Sequence, residues 1–365
     1  MLRVRNISLT HFKNYSHRKF QFSGRISGIC GNNGVGKTNL LDAIHYCCFT
    51  KSYFARDSLS VQEGKSGFRI EAEISLLDKT ETVVCILRET GKKEFLVNAL
   101  PYEKLSLHIG HFPCVVIAPD DSVLITGGSE ERRKFLDALL SQVDPQYLQQ
   151  LINYNKILLQ RNSLLRSLYE SGSRSARPDG DFSLLDAFDE QIRQPCGYIF
   201  NKRKEFLVEF LPAVRRKYQE ISQQPEDLKL FYESQLLHGD FNELIQASRQ
   251  KDIQLQRTTI GIHRDELEFQ LGEQLFRNIA SQGQRKSLLF ALKLTEMDVL
   301  SKTKGFAPIL LLDDVFEKLD EGRIGNLLQR VCVENDGQVF ITDTNEERLV
   351  SHLKQIGVEF QLIKL

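Results

Sequence analysis

The chain has 365 residues, too many for one small core, which favours two domains or one domain with a large insertion. Its 41% apolar and 26% charged residues are typical of a soluble globular protein and exclude a disordered or collagen-like chain. The 48 basic and 48 acidic side chains give a net charge of zero. This neither supports nor excludes binding to nucleic acid, because phosphate binding needs only a local basic surface. The sequence has no long apolar run and begins with alternating residues, so we expect a cytosolic protein with no membrane span.

The cysteines are an odd number and form no CxxC pair. Most lie in apolar stretches, where a reduced cysteine behaves as a small hydrophobic residue. We therefore predict inert packing, not metal or redox chemistry, for Cys30, Cys47, Cys48, Cys85, Cys114, Cys196 and Cys332.

The first third of the chain predicts strands around one helix. Short apolar or alternating runs rich in β-branched residues mark the strands. They lie at residues 2–9, with an irregularity near Asn6, and at 25–30, 68–76, 82–87 and 114–119. The third of these runs alternates, so we expect its apolar face to point into a core: Phe68, Ile70, Ala72, Ile74 and Leu76.

The middle of the chain predicts helices. A helix begins at Ser129, which we interpret as a capping residue because acids and apolar residues at helical spacing follow it. Helical patterns continue over residues 146–170, break at the Ser/Gly/Pro-rich segment 171–181, and resume from 184 until a stop near Pro212. Two long helical passages joined by a polar turn predict a helical arm.

The last hundred residues return to alternating strands and helices. Strands are predicted at 267–271, 309–312 and 338–342, and helices after Ser281 and over 323–334.

The strongest chemical signal is the sequence GNNGVGKT, which matches G-x-x-x-x-G-K-[ST] between a strand and a helix. Its glycines let backbone N–H groups surround a phosphate, and the helix N-terminus adds partial positive charge. A plain glycine-rich turn is the alternative. We predict that ATP binds here, with the lysine on the β- and γ-phosphates and the threonine on Mg²⁺, through Gly31, Asn32, Asn33, Gly34, Val35, Gly36, Lys37 and Thr38.

A second signal is the buried strand 308–312 followed by two carboxylates. This pattern suits a Walker B element, with Asp313 on Mg²⁺ and Asp314 polarising the attacking water. Together with Lys37, these two residues are the predicted catalytic group. The alternative is a strand that ends in a polar loop.

A third signal is a Ser-x-Gly-Gln turn at the start of a strongly helical stretch. It resembles the signature of ABC ATPases, usually LSGGQ, which in that family binds the γ-phosphate held by the opposite protomer. The residues are Ser281, Gln282, Gly283 and Gln284. An N-capped helix without further function is the alternative.

With these motifs in place, the chain resembles the RecF family of the ABC/SMC group over nearly its whole length. The matching segments are 8–23, 31–44, 118–137, 258–269, where Ile262 replaces the usual proline, 281–294 and 310–320. The resemblance implies that Asp120 and Asp121 lie in the Q-loop region and that Asp320 lies on the D-loop at the subunit contact. It also places Lys13 and Asn14 near the base or ribose of the nucleotide.

The fold class is therefore α/β: an ABC-type P-loop ATPase head, with a mixed sheet and helices, plus a helical arm inserted in the middle of the chain. We assign residues 1–128 and 262–365 to the head and 129–261 to the arm.

Two positions differ from general ABC ATPases. Asp314 stands where many relatives carry a catalytic glutamate, and Asp343 and Thr344 stand where others carry a switch histidine. The shorter carboxylate is expected to hold water less well, so we predict slow hydrolysis that acts as a timer.

The resemblance implies an ATP-dependent homodimer on DNA, with preference for gaps or single-to-double-strand junctions. It also implies cooperation with RecR and RecO in loading the RecA recombinase, and weak DNA-stimulated ATPase activity. An ATP-binding subunit that drives a membrane transporter shares the three motifs and is the alternative. An SMC-like nuclease-associated head and a small-molecule kinase fit less well.

The sequence itself gives modest support for DNA. Basic clusters on helical segments are candidate phosphate contacts, although such clusters are often solvated helix faces: Arg132, Arg133, Lys134, Lys202, Arg203, Lys204 and, further on, Arg215, Arg216, Lys217. His263 suits either a nucleotide or DNA sensor or a buried structural histidine. Arg264 and Asp265 are expected to pair with neighbouring charges.

Overall fold

The structure, a computed structural model, describes residues 1–170, 182–222, 226–316 and 321–365, apart from the side chains of 321 and 323. The predicted loop at 171–181 and the predicted D-loop residue Asp320 lie outside these ranges. The described chain forms two compact units, Met1–Asp121 with Leu289–Leu365, and Ser122–Leu288.

The first unit contains an antiparallel sheet. Its strands are β1 (Leu2–Phe12), β2 (Tyr15–Gln21), β4 (Phe68–Leu76), β5 (Lys79–Leu87), β6 (Lys93–Val97) and β7 (Leu100–Pro101), in the order β2-β1-β4-β5-β6-β7. The predicted irregularity near Asn6 is confirmed, because the pairing of β1 with β4 shifts register between Val4 and Asn6. The predicted alternation of β4 is also confirmed: its apolar side chains are buried, except Leu76, which is half-buried against the same core.

The same unit contains a parallel sheet. Its strands are β3 (Ile26–Cys30), β8 (Cys114–Ile117), β12 (Ile309–Leu312), β13 (Val339–Asp343) and β14 (Gln361–Lys364), in the order β14-β3-β13-β12-β8. Every residue of β3, β8, β12 and β13 is buried, as the continuous apolar runs of parallel strands require. The carboxyl ends of β3, β12 and β13 meet at one edge, where open parallel sheets bind their ligands. The unit also holds the helices α1 (Lys37–Phe49), α10 (Glu321–Leu328), which continues as a π-helical turn, and α11 (Glu346–Gln355).

The second unit is mainly helical. Its elements are α2 (Val123–Thr126), α3 (Ser129–Val143), α4 (Pro145–Glu170), α5 (Ser183–Ser222), β9 (Leu228–Glu233), α6 (Phe241–Ala247), α7 (Arg249–Leu255), β10 (Glu266–Leu271), β11 (Gln274–Leu275) and α8 (Phe276–Ile279). Helix α9 (Gln282–Lys304) is divided between the units after Leu288. Ser129 is the first residue of α3, and the capping position belongs to Gly128, so the predicted capping role of Ser129 is wrong.

These units differ from the predicted division at residues 128/129 and 261/262. The physical reason is that β10 pairs along its whole length with β9, so the segment after residue 262 packs with the helical unit. As a grouping of the motifs by function, the predicted division stays a prediction.

The predicted helix stop near Pro212 is wrong. Helix α5 runs without interruption through Pro195 and Pro212 to Ser222. Each proline removes the hydrogen bond to the carbonyl four residues earlier. Those carbonyls belong to Gln191 and Val208, both exposed residues, so water can satisfy them and the helix continues.

All seven cysteines are free and buried, which confirms their predicted packing in the interior. Within the described ranges, no helix combines the length and the apolar character needed to cross a membrane.

Candidate nucleotide-binding site

The glycine-rich segment forms the loop between β3 and α1, at the carboxyl edge of the parallel sheet. Gly36 has a φ of 111°, in the left-handed region that favours glycine. A Cβ at this position would lie 2.6 Å from the side-chain nitrogen of Asn14 and 2.8 Å from the hydroxyl of Tyr15. The loop therefore requires glycine here for both its backbone angle and its space.

The turn between β1 and β2 supports this loop. The Asn14 amide donates to the carbonyl of Val35 at 2.9 Å, and the Tyr15 hydroxyl donates to the carbonyl of Gly36 at 2.9 Å. Lys13 pairs with the carboxylate of Asp42 at 2.7 Å. Asn14 thus lies on the loop, and Tyr15 is a supporting residue that no sequence motif marks.

Lys37 is held over the same loop. Its ammonium donates to the carbonyls of Gly31 at 2.9 Å and Asn32 at 3.1 Å, and its side chain is buried. A lysine fixed at the rim of a ring of backbone amides is arranged to bind phosphate oxygens.

The carboxylate that ends β12 meets the first turn of α1. The Thr38 hydroxyl lies 2.8 and 3.0 Å from the two oxygens of Asp313, and the Thr342 hydroxyl donates to Asp313 Oδ1 at 2.8 Å. Burial raises the pKa of Asp313, and the two hydroxyl donors partly offset that rise. The structure therefore brings the two predicted Mg²⁺ ligands together, and a hydroxyl and a carboxylate are the hard oxygen donors that Mg²⁺ prefers.

Asp314 has an unusual backbone, with a φ of 42°. Its N–H donates to the Thr342 hydroxyl at 2.9 Å, so one threonine on β13 contacts both the Asp313 carboxylate and the Asp314 backbone. Non-glycine residues in the left-handed region often occur at functional sites, where surrounding contacts hold them. Sequence reasoning missed Thr342, because a threonine within a β-strand carries no functional signal.

Asp343, the last residue of β13 and the acid at the switch position, forms an ion pair with a neighbouring arginine. The Arg348 guanidinium on α11 donates to its two oxygens at 2.6 and 2.9 Å, and the Asp343 side chain is buried. A carboxylate in this ion pair cannot act as the switch histidine of other ABC ATPases does.

The two acids of the predicted Q-loop region face different surroundings. Asp120 is exposed, and its charge contributes to the raised pKa of Asp313. Asp121 is buried, accepts from the backbone N–H of Ala118 at 2.9 Å, and accepts from the Tyr53 hydroxyl.

Asp121 also belongs to a buried charge cluster with Lys293 and Glu296 on α9. The Lys293 ammonium lies 3.8 Å from Asp121 Oδ2 and 3.8 Å from Glu296 Oε2. Two carboxylates thus share one ammonium. Burial raises the pKa of Glu296 to about 7, despite the opposing effect of Lys293.

This pKa predicts a pH-dependent stability. The folded chain binds a proton at Glu296 more tightly than the unfolded chain, so the stabilisation is complete below about pH 4.5 and is lost as the pH rises through 7. Relative to a Glu296→Gln variant, the wild-type free energy of unfolding is expected to fall by about 1–3 kcal/mol between pH 5 and pH 8. Urea unfolding at the two pH values measures this difference. The exposed control Glu359→Gln should show none, and a pH-independent difference for Glu296→Gln would contradict the assignment.

The signature-like turn forms a capping box at the start of α9. The backbone N–H of Gln284 donates to Ser281 Oγ at 3.2 Å, and Gln284 Oε1 accepts from the N–H of Ser281 at 2.7 Å. Gln284 also donates to Glu226 at 3.1 Å, whereas Ser281 and Gln282 are exposed and Gly283 is half-buried. The turn therefore caps α9, and its first two residues are also accessible to another molecule.

Two of the predicted DNA contacts are wrong. Arg132 is 5% exposed and pairs with Glu266 at 2.7 Å. Arg203 is 1% exposed and pairs with Asp137 and Asp265, each at 2.7 Å. Both guanidiniums hold the helical unit together and cannot reach DNA.

The other basic candidates are closer to the surface. Lys134 is exposed but pairs with Glu130 and Glu131, and Lys202 lies 3.9 Å from Asp144. Exposed positions without these pairings are Lys204, Arg215 and Arg216. They remain predicted phosphate contacts.

His263 has the environment of a structural histidine, not of a sensor for nucleotide or DNA. Its Nδ1 lies 2.6 Å from the Tyr154 hydroxyl, and its Nε2 lies 3.0 Å from the carbonyl of Thr258. Burial lowers its pKa to about 4, so the ring is neutral at pH 7.

Solved structures with this architecture place the chain in a class. A structure described as "the recombination mediator protein RecF-ATPrS in RecFOR pathway" matches with a TM-score of 0.86 and 28% identity, covering 100% of this chain and 96% of that one. The Smc head domain from Pyrococcus furiosus has the same fold at a TM-score of 0.53 and 16% identity, with 96% and 92% coverage. The parallel sheet, its glycine-rich loop and the carboxylates after β12 define an ATPase of the ABC/SMC class.

Sequence relatives narrow the class to a family. Residues 3–363 match the model described as the RecF/RecN/SMC N terminal domain. The chain is 41% identical to the DNA replication and repair protein RecF of Flavobacterium johnsoniae over all of both chains. It is 38% identical to that of Bacteroides fragilis over 99% of this chain and 96% of the relative. The chain belongs to the RecF family.

Proposed function

We propose that the chain is an ATP-dependent DNA-binding protein of recombinational gap repair and replication-fork maintenance. ATP binding brings two copies together on gapped DNA or at single-to-double-strand junctions, and slow, DNA-stimulated hydrolysis releases them. With RecR and RecO, the dimer helps to load RecA. Family membership and the RecFOR description of its structural neighbour support this assignment.

The observation that carries the proposal is the pairing of a complete phosphate loop with an exposed signature turn in one chain. Lys37 and the loop amides bind the phosphates, and Thr38 with Asp313 hold Mg²⁺. Mg²⁺, when bound, neutralises charge on the β- and γ-phosphate oxygens. Ser281 is free to contact a γ-phosphate held by a second copy.

Asp314 positions the attacking water. A hydrogen bond to Thr342 holds its backbone in the left-handed region, at the carboxyl edge of the parallel sheet. An aspartate reaches less far than the glutamate of general ABC ATPases, and Arg348 occupies the acid at the switch position. These features support slow turnover, in which the bound nucleotide acts as a timer.

Dimerisation must offset the entropy lost when two chains associate. Two composite sites form at once, each with one loop and one signature turn. Neither half-site is expected to suffice alone, which makes the dimer depend on ATP.

The test is the affinity of the purified full chain for a fluorescent gapped duplex in the presence of ATP or ADP. ATP is expected to lower the Kd at least about tenfold, measured by anisotropy. A Lys37→Met variant, which lacks the phosphate-binding ammonium, should lose this nucleotide response. Equal affinity in ATP and ADP would contradict the proposal.

A further inference from the structure

The segment 258–265, between α7 and β10, is held by side chains from four elements. Its partners belong to α4, α5, α7 and β9: Asn162 and Arg161 on Thr258, Asp252 on Thr259, Arg203 on the carbonyl of Ile262, Tyr154 on His263, and Arg203 with Tyr232 on Asp265. These hydrogen bonds are between 2.6 and 2.9 Å long. The segment is therefore rigidly positioned.

Two of these partners are fully buried arginines. Arg161 is 0% exposed and Arg203 is 1% exposed, and each is paired with two aspartates. A buried ion pair contributes little net stability compared with apolar packing of the same volume, because desolvation of the charges is costly. Two such clusters around one short segment favour a role in fixing its geometry.

Arg264 is the exception within this segment, because its side chain points outward. The side chain is exposed, and within the described ranges it forms no hydrogen bond or ion pair. The expectation that it pairs with a neighbouring charge is wrong, because the adjacent carboxylate of Asp265 faces inward to Arg203 and Tyr232. For Asp265 the same expectation is confirmed.

A second guanidinium contacts the backbone of the same segment. Arg133 on α3 donates to the carbonyl of Asp265 at 2.7 Å, and no described carboxylate forms an ion pair with it. Burial is the main cause of the lowered pKa of His263, and the charges of Arg264 and Arg133 lower it further. Glu266, two residues after Arg264, is engaged by Arg132.

We propose that Arg264, on the segment that Arg133 also contacts, binds a backbone phosphate of the DNA that this protein holds. A planar guanidinium on a fixed backbone suits a phosphate, because it offers two parallel N–H donors from a backbone that is already ordered before binding. This inference rests on the proposed function. Arg264 could equally bind a phosphate of the nucleotide, because its chemistry is the same. The test must therefore distinguish a DNA phosphate from a nucleotide phosphate.

The test compares the full chain with Arg264→Gln, in ATP, on a fluorescent gapped duplex over a series of salt concentrations. The variant is expected to weaken binding about five- to tenfold and to reduce the slope of log K against log salt by about 1, because one phosphate contact is lost. Arg166→Gln, which removes another exposed arginine of the same unit, should leave the slope unchanged. Because Arg264 is exposed, we expect the variant to keep its unfolding midpoint.

Two further readouts separate the possible failures. Binding of a fluorescent ATP analogue and ATP-dependent dimer mass, both without DNA, should be unchanged in Arg264→Gln. Loss of either with an unchanged salt slope would assign Arg264 to nucleotide and overturn the inference. If the wild-type chain binds gapped DNA and the variant has the same affinity and slope, the inference fails while the proposed function stands. If the wild-type chain itself does not bind DNA, the proposed function fails.

Discussion

Asp313→Asn is expected to reduce ATP turnover at least about 100-fold, because it removes the anionic metal ligand from the site. The asparagine has nearly the same shape and can still accept from Thr38 or Thr342, which now donate to the carboxylate at 2.8–3.0 Å. The loss should therefore come from the missing charge and not from unfolding. Steady-state phosphate release at saturating ATP and Mg²⁺ measures it.

The matched control for this variant is Asp336→Asn, which neutralises an exposed acid in the same unit. It should hydrolyse ATP at the wild-type rate. Thermal unfolding of both variants verifies that the fold is kept. Turnover of Asp313→Asn within about threefold of wild type would remove Asp313 from the metal site.

Ser281→Arg is expected to keep ATP binding and to weaken the ATP-dependent dimer at least about 100-fold, because a bulky cation replaces the small hydroxyl at the proposed contact. Ser281 is exposed at the start of α9, so the new side chain has room in the isolated chain. Loss of the capping hydrogen bond to Gln284 costs about 1 kcal/mol, which is too little to unfold the protein. Light scattering with ATP, in the Asp314→Asn background to slow hydrolysis while keeping the metal ligands, gives the mass of the complex.

Two controls accompany this experiment. Ser163→Arg introduces the same side chain at an exposed position of α4 and should dimerise normally. Ser281→Ala removes the cap without adding bulk and should weaken the dimer less than arginine does. Normal dimerisation of Ser281→Arg would show that the signature turn does not contact the nucleotide of the second copy.

The residues that the sequence predicted best are those whose chemistry demands a particular residue type at a particular spacing. Gly36 is required by its backbone angle and by the lack of space for a Cβ. Thr38 and Asp313 are required because they are the donor and the acceptor of one hydrogen bond. Thr342 has an equal part in the geometry but could not be found. Its hydroxyl acts only because β13 lies beside β12 in the sheet, and strand order is not written in a local motif.

The spacing of apolar residues along α5 shows why Arg203 faces the interior and not DNA. Arg203 lies at helical spacing from Ile199, Leu207 and Phe210, and so shares the buried face of α5 with them. A charge cluster gives the number of cations, but the helical phase decides which of them face solvent. Pro212 shows the opposite case, in which the sequence predicts the end of a helix and the helix continues. It continues because the carbonyls that Pro195 and Pro212 leave without a partner belong to exposed residues and are accessible to water.

Steady-state ATP hydrolysis with and without gapped duplex DNA, at moderate salt, shows whether DNA controls the nucleotide cycle of this ATPase. We expect slow turnover that DNA stimulates severalfold and that Asp313→Asn abolishes in both conditions, because DNA brings two copies together and completes their shared sites. Measurable turnover that is indifferent to DNA would contradict the account, and would point to a protein or membrane partner for the same ATPase.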